Sequence, residues 1–366
     1  MNNPSETKAA SRPTGVLVVN VGTPDAPETG AVRRYLDEFL SDPRVLDINP
    51  VGRWFLLKCI ILPFRSPKSA NTYKAIWTER GSPLLTITQD FAKALETELG
   101  DDFMVEVGMR YGTPSIADGL EKLLAHDVER LVILPQFPQY SSAATGSASA
   151  KIMDLLGKRW NVPPFEIRPD FYVHPGFIDA VSEVTREVIE ANEPDMILMS
   201  YHGLPERHVR KSWAPGFSDC SISGPCPSVD RGNRYCYRAQ CYETSRQIAT
   251  QLGLNDNEYT VSFQSRLGRT KWIEPYTDIV MPELYAQGIR KLVVLCPSFV
   301  ADCLETLEEI GIRSQNDWKA LGGESLTLVP CVNTHPTWVR AAADMVLHGK
   351  NDGNVVQLPA SERASA

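Results

Sequence analysis

A histidine at the end of an apolar run and three carboxylates at helical spacing are the residues of this chain best suited to moving protons and holding a cation. His202 follows the run Met196 to Ser200 and precedes Gly203 and Pro205, so its imidazole should project from a strand end. With an ordinary pKa near ~6.5 it could take or return a proton at neutral pH, or ligate a metal. A histidine bonded to backbone in a turn fits the same pattern. Asp302, Glu305 and Glu309 are spaced i, i+3, i+7, which puts all three carboxylates on one helical face, with Val300, Leu304, Leu307 and Ile310 opposite. Spacing alone describes a helix whose acidic face meets water equally well. The segment, however, starts directly off an apolar run, where open α/β folds bind ligands. His208, a few residues past His202, is expected to be a solvated surface residue.

A second group with metal chemistry is Cys220, Cys226, Cys236 and Cys241, spaced C-x5-C-x9-C-x4-C among Gly216, Gly224, Pro225, Pro227 and Gly232. Thiolates on such a loop can converge on one centre, and four of them suit an iron–sulfur cluster or structural zinc. The spacing lacks the close C-x2-C pairs of common zinc ribbons, which tilts the reading toward [2Fe–2S], with zinc and free thiols as alternatives. Cys59, Cys296, Cys303 and Cys331 lie in apolar runs and are expected in the core.

The segment 54–64 is apolar except for Lys58 and too short to span a bilayer. It is either a core helix or an exposed lip for a large flat ligand or a membrane surface. Arg65, Lys68, Tyr73, Lys74 and Arg80 follow, then Gly81-Ser82-Pro83, groups that would suit an apolar ligand with carboxylate arms.

These residues need a scaffold, and the chain supplies one. Strand-length apolar runs recur at 15–21, 103–109, 130–134, 196–200, 259–263 and 291–295, with helix-period segments such as 87–99 and 242–252 between them. That alternation predicts an α/β fold of parallel sheets covered on both faces. The punctuation repeats: Val21-Gly22-Thr23-Pro24-Asp25 closes one run and His202-Gly203-Leu204-Pro205-Glu206 another. Met109-Arg110-Tyr111-Gly112 likewise has a counterpart in Gln264 to Gly268. Two halves of one topology are expected, 13–180 with a lip at about 50–83 and 181–348 with a cysteine-rich loop at 216–241. Unstructured tails are expected at 1–12 and 349–366. With 366 residues, 43% of them hydrophobic, the chain can bury two cores. Its net charge of −8, without a basic run, argues against nucleic acid as a partner. No secretory signal or membrane-spanning stretch is present, so the expected location is the cytoplasm.

Taken in order, the motifs resemble the ferrochelatases over roughly residues 14 to 345. They are Val19-Asn20-Val21-Gly22-Thr23-Pro24, Arg65-Ser-Pro-Lys68, Gly81-Ser82-Pro83, Met109-Arg110-Tyr111, Pro138-Gln-Tyr140-Ser141, Thr145-Gly146-Ser147, Ser200-Tyr-His202-Gly-Leu-Pro205, Ser262-Phe-Gln-Ser265, Trp272, Pro275-Tyr-Thr277 and Asp302-Cys-Leu-Glu305-Thr-Leu-Glu308-Glu309. The resemblance implies two similar Rossmann-like lobes with a porphyrin cleft between them, and insertion of Fe²⁺ into a porphyrin, protoporphyrin IX first among candidates, with release of two protons. It makes His202 and Glu305 the catalytic, iron-handling pair on opposing walls, and Asp302 and Glu309 an acidic path. Arg65, Tyr73, Ser82, Arg110, Tyr111, Tyr140 and Trp272 become porphyrin-binding. It also implies that the four clustered cysteines hold [2Fe–2S], as in some bacterial members. Peripheral contact of the lip near 54–64 with the inner membrane stays an open alternative. A cobalt chelatase of another tetrapyrrole, or a porphyrin-binding protein without turnover, are the competing readings.

Overall fold

The computed structural model describes residues 12–349, apart from 216–219, 221, 223, 225, 267 and 269. The tails expected to be unstructured lie outside the described residues, save Arg12 and Gly349.

Among the described residues, eight strands form two four-stranded parallel sheets. The first contains β1 (Thr14–Gly22), β2 (Phe103–Tyr111), β3 (Arg130–Pro135) and β4 (Phe165–Ile167), in the order β2-β1-β3-β4. The second contains β5 (Met196–His202), β6 (Tyr259–Gln264), β7 (Lys291–Leu295) and β8 (Ser325–Leu328), in the order β6-β5-β7-β8. The two orders are the same permutation, and all pairings are parallel. Helices on both faces explain the unbroken apolar strands: Val16, Leu17, Val18 and Val19 of β1 are all fully buried. The six expected strands are present. The edge strands β4 and β8 carry too little apolar signal to be read from sequence, β4 being three residues long and largely exposed.

The repeat extends to matching backbone bonds. Met109 N–H donates to the Pro114 carbonyl at 2.7 Å, and Phe263 N–H to that of Pro275 at 2.8 Å. A Cβ at Gly22 would stand 1.8 Å from the Tyr111 carbonyl oxygen, and one at Gly203 would stand 2.8 Å from that of Gln264. Each glycine therefore lets the end of a central strand pass its neighbour, which no side chain would permit.

The halves share a core. The helix Pro336–His348 packs on Pro175–Asn192 and on Pro83–Leu99 of the first half. Its Trp338, fully buried, stacks on Phe91 at 5.7 Å and meets Phe171 and Phe177 at 5.2 and 5.8 Å. Aromatic contacts of this kind contribute about 0.5–1.5 kcal/mol each beyond burial.

Candidate active site and cysteine centre

His202 is the last residue of β5. Its Nδ1 lies 2.7 Å from the Gly203 carbonyl oxygen, which can only accept, so Nδ1 carries a proton and, in the neutral ring, the lone pair is on Nε2. The ring is half-buried between Trp272 and Phe299, at 6.4 and 6.3 Å. Its backbone N–H donates to Ser298 Oγ at 3.1 Å, and its carbonyl accepts from the Tyr237 hydroxyl at 2.8 Å.

Glu305 opens a ten-residue π-helix, Glu305–Ser314, which follows β7 and the loop after it. π-helical turns are rare and concentrate at functional sites. This winding overturns the α-helical face expected for the three acids. Asp302 precedes the helix and is buried, its carboxylate accepting from Thr306 Oγ1 (3.1 Å), the Cys331 N–H (3.2 Å) and Asn333 Nδ2 (2.8 Å). The carboxylate is thus committed to shaping the loop. Glu309 closes over the end of β6, accepting from the Ser265 N–H at 3.0 Å and from Ser265 Oγ at 2.5 Å. Glu308, which spacing did not single out, shares the acidic patch. Burial raises its pKa, and the charges of Glu309 and Glu305 add to the effect. Leu304 and Leu307 pack on the first half's core and Ile310 on the second's, so the apolar residues do not form one side either.

His202 and Glu305 both stand on the second half, as their positions in the chain require. β5 and β7 are neighbours, so both residues come from the carboxyl edge of the second sheet. The first half answers with Arg65 and Tyr73, which interact with Glu305 electrostatically; burial lowers the Arg65 pKa and raises that of Tyr73. Ser82 is buried, its hydroxyl 2.8 Å from Thr23 Oγ1.

Arg110 and Tyr111 converge on a residue the motifs did not flag. Asp42 accepts from Arg110 Nη2 at 2.6 Å and from the Tyr111 hydroxyl at 2.9 Å, with Ser147 Oγ as a third donor. Burial alone would raise the Asp42 pKa; the bonds from Ser147, the Arg44 N–H and Tyr111, with the Arg110 charge, bring it below the usual range. Tyr140 packs against Tyr235 at 4.9 Å, and its N–H donates to Gln240 Oε1 at 2.6 Å, joining the Ser-rich loop to the second half. Trp272 bridges to Pro205 beside His202.

The lip is a helix Pro50–Phe55, a π-helical turn Leu56–Ile61 and a helix Leu62–Ile76. Val51 and Phe64 are 78% and 72% exposed, with Trp54, Phe55 and Ile60 also outward, so the segment is a surface lip and not a core helix. Lys58 is held by Asp37 at 2.5 Å. Cys59, expected in the core, is exposed on this face, whereas Cys296, Cys303 and Cys331 are buried as expected. His208 is not solvated. It is buried with Nε2 3.0 Å from Asp47, which also binds Arg207 and Lys211. Burial would raise the Asp47 pKa, but hydrogen bonds from Arg207, Lys211 and His208 hold it well below the usual range.

The cysteines gather at the start of the helix Tyr237–Leu252. Cys226, Cys236 and Cys241 are buried, Cys220 is partly so, and they lie within electrostatic range of one another. Among the described residues, no three of His, Cys, Asp or Glu stand at ligand spacing for an ion. The donor chemistry nevertheless fits an anionic metal–thiolate group. Arg238, 2% exposed, donates to Cys226 Sγ at 2.9 Å, and its other partners are the Glu274 and Gly224 carbonyls and the Tyr242 hydroxyl, all uncharged. A buried cation is costly unless an anion meets it, and thiolates are the candidates at hand. The Ile222 N–H (3.4 Å) and the Trp213 indole donate to Cys220 and Cys236. As free thiols these groups would be neutral, since burial pushes Cys226 up to about 11 and raises Cys241 well above the usual thiol range.

Two parallel sheets of one permutation, with a histidine and an acidic helix at a shared carboxyl edge, place the molecule in the α/β chelatase fold class. The SirB structure from Bacillus subtilis with Fe³⁺ matches with a TM-score of 0.52 at 11% identity, covering 93% of this chain and 98% of that one. The cobalt complex of the sirohydrochlorin chelatase SirB from B. subtilis subspecies spizizenii matches with a TM-score of 0.51 at 10% identity, covering 91% and 94%. The Ferrochelatase family profile spans residues 13–350. Ferrochelatases of Legionella pneumophila (strain Lens) and Coxiella burnetii (strain Dugway 5J108-111) are each 49% identical, over 91% of this chain and 98% of the former protein, and over 90% and 92% for the latter. The chain belongs to the ferrochelatase family, whose reaction is the insertion of Fe²⁺ into a porphyrin.

Proposed function

We propose that this enzyme metallates protoporphyrin IX, with His202 as the base and Glu305 as the carboxylate that handles the incoming iron. The observation that carries the reading is the 2.7 Å contact between His202 Nδ1 and the Gly203 carbonyl oxygen. The Gly203 carbonyl fixes the proton on Nδ1, leaving Nε2 basic and the ring held between Trp272 and Phe299. Insertion requires two pyrrole N–H protons to leave while Fe²⁺ sheds water. A neutral imidazole can take a proton, and a half-buried carboxylate can replace water around a borderline cation. Glu308 and Glu309 extend the negative field behind Glu305. Arg65, half-buried and without a hydrogen bond among the described residues, keeps its fork available for a carboxylate arm of the substrate. Arg110 and Tyr111, fixed by Asp42, support the floor of the first half, and Tyr140 and Trp272 supply apolar wall.

Cys220, Cys226, Cys236 and Cys241 hold a [2Fe–2S] cluster in this reading, supported by the buried Arg238 and the N–H donors around the sulfurs. Bound there, the cluster supplies a redox-active anionic centre. The apolar lip supports peripheral contact with a membrane.

The test is Fe²⁺ insertion measured with protoporphyrin and coproporphyrin side by side, for wild type and His202→Ala. Faster turnover of protoporphyrin and a loss of about 10²–10⁴-fold in the variant are expected. Equal rates for wild type and variant would sink the role of His202, and a preference for coproporphyrin would reassign the substrate. Iron and sulfide analysis of anaerobically purified protein tests the cluster; a colourless protein containing zinc would replace it with a zinc site.

A further inference from the structure

The clustered cysteines are separate in sequence from the histidine and acidic motifs, yet the helix that carries Cys241 sets its first residue against the His202 carbonyl. Two consecutive residues of the helix Tyr237–Leu252 make the connection. Tyr237 is buried, and its hydroxyl donates to the His202 carbonyl at 2.8 Å while lying within hydrogen-bond reach of Cys241 and Ser298. Ser298 in turn accepts from the His202 N–H. Arg238 holds Cys226 Sγ with one guanidinium nitrogen and the Glu274 carbonyl with two others, at 3.0 and 2.9 Å. Glu274 lies two residues beyond Trp272, and the intervening Ile273 N–H donates to the Leu204 carbonyl at 2.9 Å, two residues beyond His202. Both paths therefore end on the wall formed by His202 and Trp272.

We propose that Tyr237 and Arg238 are positioning residues that couple the state of the cysteine centre to the porphyrin-facing wall. The inference rests on the reading that the four cysteines hold metal. Its basis is a count of protons. The phenol has one hydrogen. Beside a thiol at Cys241, Tyr237 can accept from S–H and give its own proton to the His202 carbonyl. A metal-bound thiolate only accepts, so sulfur and carbonyl then compete for that single proton, and the competition sharpens when an added electron increases the charge on sulfur. Arg238 responds to the same change, because anionic sulfur draws the guanidinium that also grips the Glu274 carbonyl. The centre thus has distinct states that differ in what they demand of Tyr237 and Arg238, which is the physical requirement for coupling. Linkage makes the effect reciprocal: porphyrin bound against His202 and Trp272 must shift the equilibrium of the cluster.

The experiment is an anaerobic redox titration of the purified enzyme, following the paramagnetic signal of the reduced cluster, with and without iron-free protoporphyrin IX. A tenfold coupling moves the midpoint by about 59 mV for a one-electron couple, and a shift of that order is expected in wild type. In Tyr237→Phe, which keeps the ring and removes the proton, the shift should collapse while iron and sulfide content stay at wild-type levels. In Arg238→Gln the cluster should lose iron to a chelator at least tenfold faster. A wild-type midpoint unmoved by porphyrin, or a full shift retained in Tyr237→Phe, overturns the proposal. Iron and sulfide analysis of wild type separates this outcome from failure of the cluster reading. If zinc fills the site, the ratio of porphyrin dissociation constants with zinc bound and removed carries the same test, and a ratio of one overturns the coupling. Protein whose cysteines hold no metal overturns both.

Discussion

The two ring nitrogens of His202 serve different ends, Nδ1 fixing the orientation through Gly203 and Nε2 keeping a free lone pair. The geometry separates a residue with a ring nitrogen left open from one whose polar atoms are all engaged. Asp42 is of the second kind, joining Arg110, Tyr111 and Ser147 in one buried knot. Asp42→Asn leaves Arg110 without its counter-charge and should cost about 1.5–3 kcal/mol in urea unfolding at pH 7. The wild-type Asp42 pKa is depressed. Its contribution is therefore fully present above the ordinary carboxylate range near ~4 and is lost as the pH falls through the lower folded value, so the gap between wild type and variant should narrow only in acid. A gap that stays constant down to pH 3 would contradict this. Glu305→Gln keeps the shape and removes the charge that faces Arg65 and Tyr73. It should slow metallation while leaving binding of iron-free porphyrin within a few-fold, read from porphyrin fluorescence. His202 was legible as a strand-end residue from its flanking run and turn. Asp42 was not, because a single aspartate after a helix has no signature until the chain brings Arg110 to it.

At the scale of elements, the alternation of apolar runs marks six of the strands, the inner β1, β3, β5 and β7 most clearly, because strands covered on both faces must be apolar throughout. The acidic segment misleads for a definite reason. Spacing of i, i+3, i+7 presumes 3.6 residues per turn, and the segment winds as a π-helix that begins after Asp302. The clasp between the loop just ahead of the lip and the short helix Glu206–Lys211 was also invisible, since it unites residues about 160 positions apart: Asp47 with Arg207, His208 and Lys211. This clasp fixes the lip relative to the segment that follows His202. Asp47→Asn should loosen it, raising hydrogen exchange in the lip and in Glu206–Lys211 at pH 7 with little change in β1 or β5. The Asp47 pKa is lowered well below that of an ordinary carboxylate. The wild-type clasp should therefore persist as the pH drops past ~4 and open only below, whereas the variant should exchange fast throughout. Equal exchange in the two proteins at pH 7 would show that Asp47 does not hold the lip.

Across the whole molecule, the apolar lip stands on the first half, and among the described residues no helix is long and apolar enough to cross a membrane. If the lip seats on a bilayer, replacing Trp54 and Phe64 together by Ser should reduce co-sedimentation with phospholipid vesicles by about tenfold or more, given roughly 1.5–3 kcal/mol for each large apolar side chain buried. Metallation of a porphyrin delivered in detergent should be unaffected, and unchanged co-sedimentation would exclude the lip as an anchor. The repeat of the sheet was legible in the recurring Gly-x-Pro-acid turns, and the structure adds a consequence. Where the second half places His202 before Gly203, the first half places Val21 before Gly22. Two separate copies related by a rotation axis would have to show identical groups to both sides of a flat ring. A single chain carrying both halves is released from that obligation. The second half presents His202 and Glu305 at its strand ends where the first half presents Arg65 and Tyr73, so the two halves offer a bound ligand different groups.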